Sequence, residues 1–396
     1  LNIIVHRGTN QIGGCITEIQ TKTTRIIIDM GLELPDEEGN IDEEPLLIDG
    51  ITKGEKNCDA VFFTHYHGDH IGMINNILPG VPMYMGRAAK EIYHTFEERK
   101  KSETAKIVEK VKTFRKGEKI RIGDITVTPF MVDHSAYDAY MFLVEADGKK
   151  VLHTGDFRTH GFRGKGVIPT LEKYVKNVDV LITEGTTLSR DTSNTKTERE
   201  LQQEFMSLLA KYKYVFAITA STNIDRIASL HEATPRGKYF LCDRYQKKII
   251  EIARKYGSKY TSLYSFKKAL NYDNVMEKAR NLGFCMLVRS GGKFLEIMKE
   301  YRDAYNSECL VIYSMWKGYL EQPNSKLKLL MEGFQNVVYL HTSGHADLEA
   351  ILDVCNTVTP SQAIIPIHSV NPKRLDDLNL PYHIEYLEDA QVYEVK

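Results

Sequence analysis

In the first part of the chain, apolar residues gather in short runs separated by glycine-containing turns. Residues 12–19, 24–31, 60–64, 119–128, 139–145, 151–154 and 178–183 read as strands on this pattern. Residues 85–114 and 197–212 have helical spacing instead. Thr197 stands three residues before Glu200, a pairing in which each side chain satisfies an amide at a helix start. Leu201, Phe205 and Leu208 then share one helix face, a stripe expected to face the core. From about 213 to 310 the pattern becomes strand then helix, repeated: 214–219, 223–233, 238–242 and 246–256. That alternation predicts a small parallel-sheet unit with covering helices. Buried-strand candidates resume at 309–314, 337–342 and 362–366. The expected division is a first domain over 1–195, an insertion over 196–310 and a return to the first domain over 311–396. The fold class is α/β.

Composition narrows the function classes. At 396 residues the chain is long enough for two or three domains and needs no disulfide framework. The cysteines, Cys15, Cys58, Cys242, Cys285, Cys309 and Cys355, are scattered and never form a Cys-x-x-Cys pair. They suit a reducing compartment. No apolar run approaches the roughly 20 residues that span a bilayer, and residues 1–7 lack the layout of a secretory signal, so cytoplasmic residence without membrane contact is the expectation. The chain starts at Leu1, which suggests a processed or altered terminus. With 52 basic against 53 acidic residues the net charge is -1, so a polyanionic partner would have to be held by a local basic groove and bound metal.

Chemistry concentrates in Thr64-His65-Tyr66-His67-Gly68-Asp69-His70, directly behind the apolar Ala60-Val61-Phe62-Phe63. Four ligand-capable residues sit at the end of a predicted strand, and a turn at Gly68 would let His65 and His67 face one way and Asp69 and His70 another. Imidazole and carboxylate together suit catalytic zinc or manganese with coordination positions left open for water. Two ions need further ligands. His134, Asp156 and His368 each follow an apolar run, where an α/β scaffold gathers its functional loops. The pattern points to a binuclear metallohydrolase.

The segments 64–70, His134, 154–156 and His368 resemble the metal motifs of the metallo-β-lactamase superfamily. The resemblance implies an αββα sandwich. It also implies that His65, His67 and His134 hold one ion, that Asp69, His70 and His368 hold the other, and that Asp156 bridges them. Asp29 resembles the family's buried support for the histidine loop. Leu340-His341-Thr342-Ser343-Gly344-His345-Ala346-Asp347 is similar to the RNA-specificity segment of the β-CASP branch, which includes ribonuclease J and the cleavage-and-polyadenylation endonucleases. Leu181-Ile182-Thr183-Glu184-Gly185-Thr186-Thr187 resembles that branch's acidic first motif, and the insertion, with Ser221 and Asn223 at a strand-to-helix turn, resembles the β-CASP domain itself.

Taken together the resemblance implies a ribonuclease with two Zn²⁺ per chain, Mn²⁺ being the other candidate metal. It would use two-metal-activated hydroxide, cut internally or from an end, and leave 5′-phosphates. Asp69, His345 and Glu184 would be catalytic, His345 protonating the leaving oxygen with Glu184 tuning its state. His341, Thr342, Ser343, Gly344, His345, Ser221, Asn223 and Arg158 would contact RNA, Ser221 and Asn223 having an ordinary helix cap as the alternative and Arg158 a solvated turn. The implied partner is single-stranded RNA, with a second copy of the chain as a further candidate. Competing readings are a metallohydrolase of DNA or of a small phosphodiester, and a non-catalytic RNA-binding scaffold subunit. The end at Lys396 leaves no room for ribonuclease J's extra C-terminal domain, an expectation that bears on dimerisation and processivity.

Overall fold

A computed structural model describes residues 1–396 except 37, 38, 41–43, 193 and 324. Two compact units emerge. Leu1–Asp36, Asn40–Thr195 and Gly344–Lys396 make up the first, and Lys196–Ser343 belong to the second.

The first unit is built on two sheets. One has seven strands in the order Val392–Glu394, Asn2–Arg7, Ile16–Gln20, Arg25–Ile28, Ala60–Phe62, Met83–Gly86 and Lys112–Phe114. The other has six, in the order Ala363–Ile367, Val180–Glu184, Lys149–His153, Tyr140–Ala146, Ile125–Met131 and Ile120–Ile122. Because side chains alternate across a strand, Ile26, Ile28 and Phe62 of the first sheet meet Val127, Phe142, Val144, Ile182 and Ile365 of the second in one buried core. The Phe62 and Phe142 rings lie edge to face at 5.7 Å. The outer face of the six-stranded sheet, through Leu143, Leu152, Leu181 and Ile364, packs on helices Val167–Tyr174 and Leu348–Val358. On the far side, Ile27, Val61 and Phe63 are buried, as are Ala88, Ala89, Ile92 and Tyr93 of helix Arg87–Lys100.

Two sets of parallel strands decide where functional loops emerge. Arg25–Ile28 and Ala60–Phe62 are parallel, with Ile28 opposite Phe62. Lys149–His153, Val180–Glu184 and Ala363–Ile367 are also mutually parallel, with His153 opposite Ile182 and Glu184 opposite Ile367. Their carboxyl ends therefore finish side by side, the usual place for a site in an open parallel sheet.

The second unit carries a six-stranded sheet, every pair parallel, in the order Ala269–Asn271, Tyr239–Cys242, Phe284–Val288, Tyr214–Ile218, Cys309–Tyr313 and Val337–Tyr339. Its central strands are buried end to end, as expected where helices cover both faces. The expected return to the first domain at 311 is corrected: Cys309–Tyr313 pairs with Tyr214–Ile218 inside this sheet, and the chain re-enters the first unit at Gly344. A run of apolar residues announces a buried strand without saying which sheet buries it.

Three smaller expectations are refined. Residues 85–114 break into Arg87–Lys100 and Thr104–Lys110, with Lys101 left-handed between them at φ 56°. Residues 119–128 fold as a hairpin turning at Gly123, φ 54°. Helix Glu198–Lys211 has the predicted reciprocal cap, Glu200 N–H donating to Thr197 Oγ1 at 3.2 Å and Thr197 N–H to Glu200 Oε2 at 2.7 Å. Its buried stripe is Leu201, Phe205 and Leu209, spaced by four, with Leu208 half-buried.

Candidate metal centre

Strand Ala60–Phe62 delivers an extended loop carrying His65 and His67, which then turns into the short helix Gly68–Ile71 carrying Asp69 and His70. The reversal expected from a special Gly68 conformation comes instead from the change from extended backbone at His67 (φ -70°, ψ 150°) to helix. Strand Lys149–His153 delivers Asp156, Val180–Glu184 ends on Glu184, and Ala363–Ile367 is followed by His368. Close loop approach demands glycine at one point in particular: a Cβ on Gly155, φ 54°, would lie 2.9 Å from Thr64. Asp29 and His368 are held in the left-handed region at φ 63° and 55°, a cost offset by Asp29 N–H to Phe62 O (2.9 Å) and His368 N–H to Gly8 O (2.7 Å).

His65, His67 and His134 bring one nitrogen each to within 4.8 Å of one another. Asp156 Oδ2 lies 3.2 Å from His70 Nε2, 3.8 Å from His65 Nε2 and 3.9 Å from His134 Nε2, so it stands between this trio and His70. Asp69 Oδ2 is 3.2 Å from His368 Nε2 and 4.0 Å from His70 Nε2. The distant segments of the sequence thus meet in one pocket of the first unit.

The other nitrogen is tied down in four of these rings, those of His65, His70, His134 and His368. His70 Nδ1 bonds Asp29 Oδ2 at 2.8 Å, and the same carboxylate accepts from Thr64 N–H and Thr64 Oγ1, both at 2.7 Å. Since Thr64 donates to Asp29, its oxygen is left to accept from His65 Nδ1 at 3.1 Å. His134 Nδ1 donates to Gly344 O at 2.6 Å, and His368 Nδ1 shares a hydrogen bond with Thr186 Oγ1 at 2.7 Å. Such partners fix ring orientation and tautomer, aiming Nε2 inward. Inside the pocket, buried His65 Nε2, His70 Nε2 and both Asp156 oxygens have no hydrogen-bond partner. Each such group costs roughly 1–3 kcal/mol when left unsatisfied. A divalent cation would satisfy all of them, and the donor set is one that zinc or manganese takes.

Protonation of His65, His67, His134 and Asp156 agrees with a ligand role. Burial, reinforced by neighbouring imidazoles, holds His65 and His134 well below the ordinary histidine value, and burial takes His67 down to about 4. These rings are neutral at pH 7, the form that ligates. Burial works against charge on Asp156 too, but His70, His368 and His345 outweigh it and keep the carboxylate ionised. His70 is held high by Asp156, Asp29 and Asp69 in spite of burial.

His345 sits at the rim, 22% exposed, with Nδ1 3.0 Å from Glu184 Oε2 and 3.6 Å from Asp156 Oδ2. Glu184 is itself fixed, Oε1 accepting from Phe157 N–H at 2.8 Å. Burial opposes charge on His345, yet Glu184 and Asp156 raise its pKa above the usual value.

Arg158 and several residues of the second unit were also expected to contact RNA. Arg158 is fully buried, its Nε donating to buried Asp133 Oδ1 at 3.2 Å; Arg163 turns inward as well, donating to His134 O at 3.2 Å. Arg158, expected to contact RNA or lie in a solvated turn, pairs with Asp133 because an antiparallel bridge sets the two residues opposite each other, Arg158 N–H donating to Asp133 O at 2.7 Å. Asn223 is 7% exposed and caps helix Ile224–Ala233, accepting from Arg226 N–H at 3.1 Å. Ser221 Oγ lies 3.2 Å from Tyr245 Oη, buried Thr342 donates to Lys196 O at 2.5 Å, and His341 is exposed, all in the second unit with Ser343. Sequence reading assigned no role to Thr186 or to the Gly344 carbonyl. Neither announces itself in sequence, since a backbone oxygen has no side-chain signature and threonines are common.

Residues 24–214 match the β-lactamase superfamily domain family. That stretch is a metallo-β-lactamase superfamily domain. Among curated proteins, the chain is 25% identical over 396 residues to ribonuclease J of Helicobacter pylori strain J99, covering 91% of this chain and 54% of that protein. It is 29% identical over 202 residues to an RNase J-like protein of Methanocaldococcus jannaschii, covering 46% of this chain and 41% of that one. The chain spans about half the length of the curated relatives it matches. A crystal structure of a protein of unknown function from Enterococcus faecalis V583 shares the fold with a TM-score of 0.78 at 22% identity, covering 99% of both chains. A domain of this superfamily implies divalent metal binding, which the donor set fits. No helix among the described residues is long and apolar enough to cross a membrane.

Proposed function

We propose that this chain is a ribonuclease that hydrolyses RNA phosphodiester bonds with two Zn²⁺ ions and leaves 5′-phosphates. The observation that carries the reading is the set of inward nitrogens and carboxylate oxygens around Asp156, buried and lacking hydrogen-bond partners, with the outer nitrogens of four rings anchored. His65, His67 and His134 would hold one ion, Asp69, His70 and His368 the other, with Asp156 between them. When bound, the ions supply Lewis acidity toward a phosphoryl oxygen and toward water. The chain does the rest. Asp29, Thr64, Thr186 and Gly344 keep the imidazoles aimed, and the Asp156 carboxylate holds negative charge at the centre. Glu184 orients His345 and favours its protonated form, so that His345 can donate a hydrogen bond to phosphate and a proton to the departing 3′ oxygen. RNA as substrate is supported by the names of the relatives. The six cysteines are buried, unpaired thiols, which suits the cytoplasm.

The test is a time course with 5′-labelled RNA bearing triphosphate, monophosphate or no free end, alongside labelled DNA and cyclic dinucleotides. RNA should be cleaved to 5′-phosphate products. Folded Asp69→Ala and His70→Ala proteins should lose on the order of 10³-fold in rate or more, as removal of one member of a catalytic unit does elsewhere. Metal-replete, folded variants with normal cleavage would exclude the reading, and RNA binding without turnover in the wild type would favour a scaffold. His345→Ala should lower turnover by about 10²-fold or more while metal content, measured by atomic emission, stays at the wild-type level.

A further inference from the structure

The sequence gives no hint that Cys15 differs from the other cysteines, but its place in the fold does. Gly13 and Gly14, at φ 88° and 66°, turn the chain so that Cys15 enters strand Ile16–Gln20 against the histidine loop. Its backbone is pinned from both sides: Cys15 N–H donates to Asp69 O at 3.0 Å, and Cys15 O accepts from Gly31 N–H at 3.0 Å. The approach is tight enough that a Cβ on Gly31 would fall 2.8 Å from Cys15 N and overlap Asp69 O. The thiol is 2% exposed, and its sulfur, a nitrogen of His70 and a nitrogen of His368 lie within 4.8 Å of one another. In that same cluster, His70 Nε2 is a buried atom with no hydrogen-bond partner, an independent sign that this spot has capacity for a ligand. The other cysteines sit differently. Cys58, Cys242 and Cys309 lie against backbone carbonyls, Cys285 is fully buried in strand Phe284–Val288, Cys355 lies in an apolar core, and none joins such a cluster among the described residues.

We propose that Cys15 is a ligand, its sulfur binding the ion held by Asp69, His70 and His368 and its thiol proton passing to solvent as the sulfur–metal bond forms. The inference rests on the metal-dependent reading given above. It adds one soft donor to a nitrogen and oxygen set, which biases that position toward zinc and away from manganese and magnesium.

Cobalt(II) loaded into the full chain reads both questions at once. Wild-type protein should show visible d–d absorption together with a near-ultraviolet sulfur-to-cobalt charge-transfer band, and Cys15→Ser should keep the first and lose the second. Absorption in the visible without the charge-transfer band, or a band that survives in Cys15→Ser, overturns the thiol ligand and leaves the metal site standing. No visible absorption in the wild type overturns the metal site and the thiol ligand with it. Zinc X-ray absorption of the wild type needs no variant: a sulfur neighbour at about 2.3 Å is expected beside nitrogen and oxygen at about 2.0–2.1 Å, and a first shell without sulfur overturns the assignment.

Discussion

Two buried polar clusters, one in each unit, share depth but not bonding. In the second unit, Glu198 and Arg226 are both fully buried. Arg226 Nε and Nη2 reach the two Glu198 oxygens at 3.1 and 2.9 Å, Nη1 reaches Ser314 Oγ at 2.5 Å, and Ser229 Oγ donates to Glu198 at 3.3 Å. In the first unit, Asp156 and His65 are as deeply buried, yet the Asp156 oxygens and His65 Nε2 have no hydrogen-bond partner within the chain. A closed network spends its polar capacity on the fold, joining helix Glu198–Lys211 to helix Ile224–Ala233. An open one keeps capacity for something that binds. Buried charge alone therefore does not mark a functional site; buried charge whose outer atoms are anchored and inner atoms unsatisfied does.

Glu198→Ala should break this contrast most strongly, since it leaves the Arg226 guanidinium buried without its counter-ion. A loss of about 3–5 kcal/mol is expected in urea unfolding followed by Trp316, the single tryptophan, which lies in the second unit, while zinc content per folded chain stays unchanged. A loss below 1 kcal/mol would mean that the network contributes nothing the fold needs. Asp29→Asn probes the anchoring side of the open cluster. It preserves shape but changes what His70 Nδ1 and Thr64 can bond, and zinc affinity measured against a competing chelator should fall about 10–100-fold. An unaltered affinity would separate ring orientation from ligation. Asn223→Ala has the smallest expected effect, about 1 kcal/mol from the lost helix cap, with RNA affinity by filter binding unchanged. A large drop in RNA affinity at constant stability would restore Asn223 as a contact and weaken the division drawn between the two clusters.

The run from Thr64 to His70 was legible because four ligand-capable residues crowd into seven positions behind an apolar strand. His134, Asp156 and His368 were legible only through where they stand, each after an apolar run, and the pattern's resemblance to a family joined them. Arg158 and Asn223 each carried two readings in sequence for a common reason: charge and polarity in a loop look alike whether the side chain meets solvent or RNA or closes on a buried partner. Asp133 and the amide of Arg226 are those partners, and neither pairing is written in local spacing. Cys15 carried no signal at all, because its significance comes from His70 and His368, residues more than fifty positions away in sequence.

Sequence by itself determined the strands, the helices with their Thr197 cap, the α/β class and the ligand chemistry at the strand ends, since these follow from side-chain periodicity, local hydrogen bonding and donor type. Tertiary structure alone decided that residues 309–339 complete the second sheet, that Arg158 faces inward, and that a thiol stands beside two histidines. Those outcomes depend on which buried surfaces meet and which polar atoms they leave unsatisfied, and that is a property of contacts between distant segments.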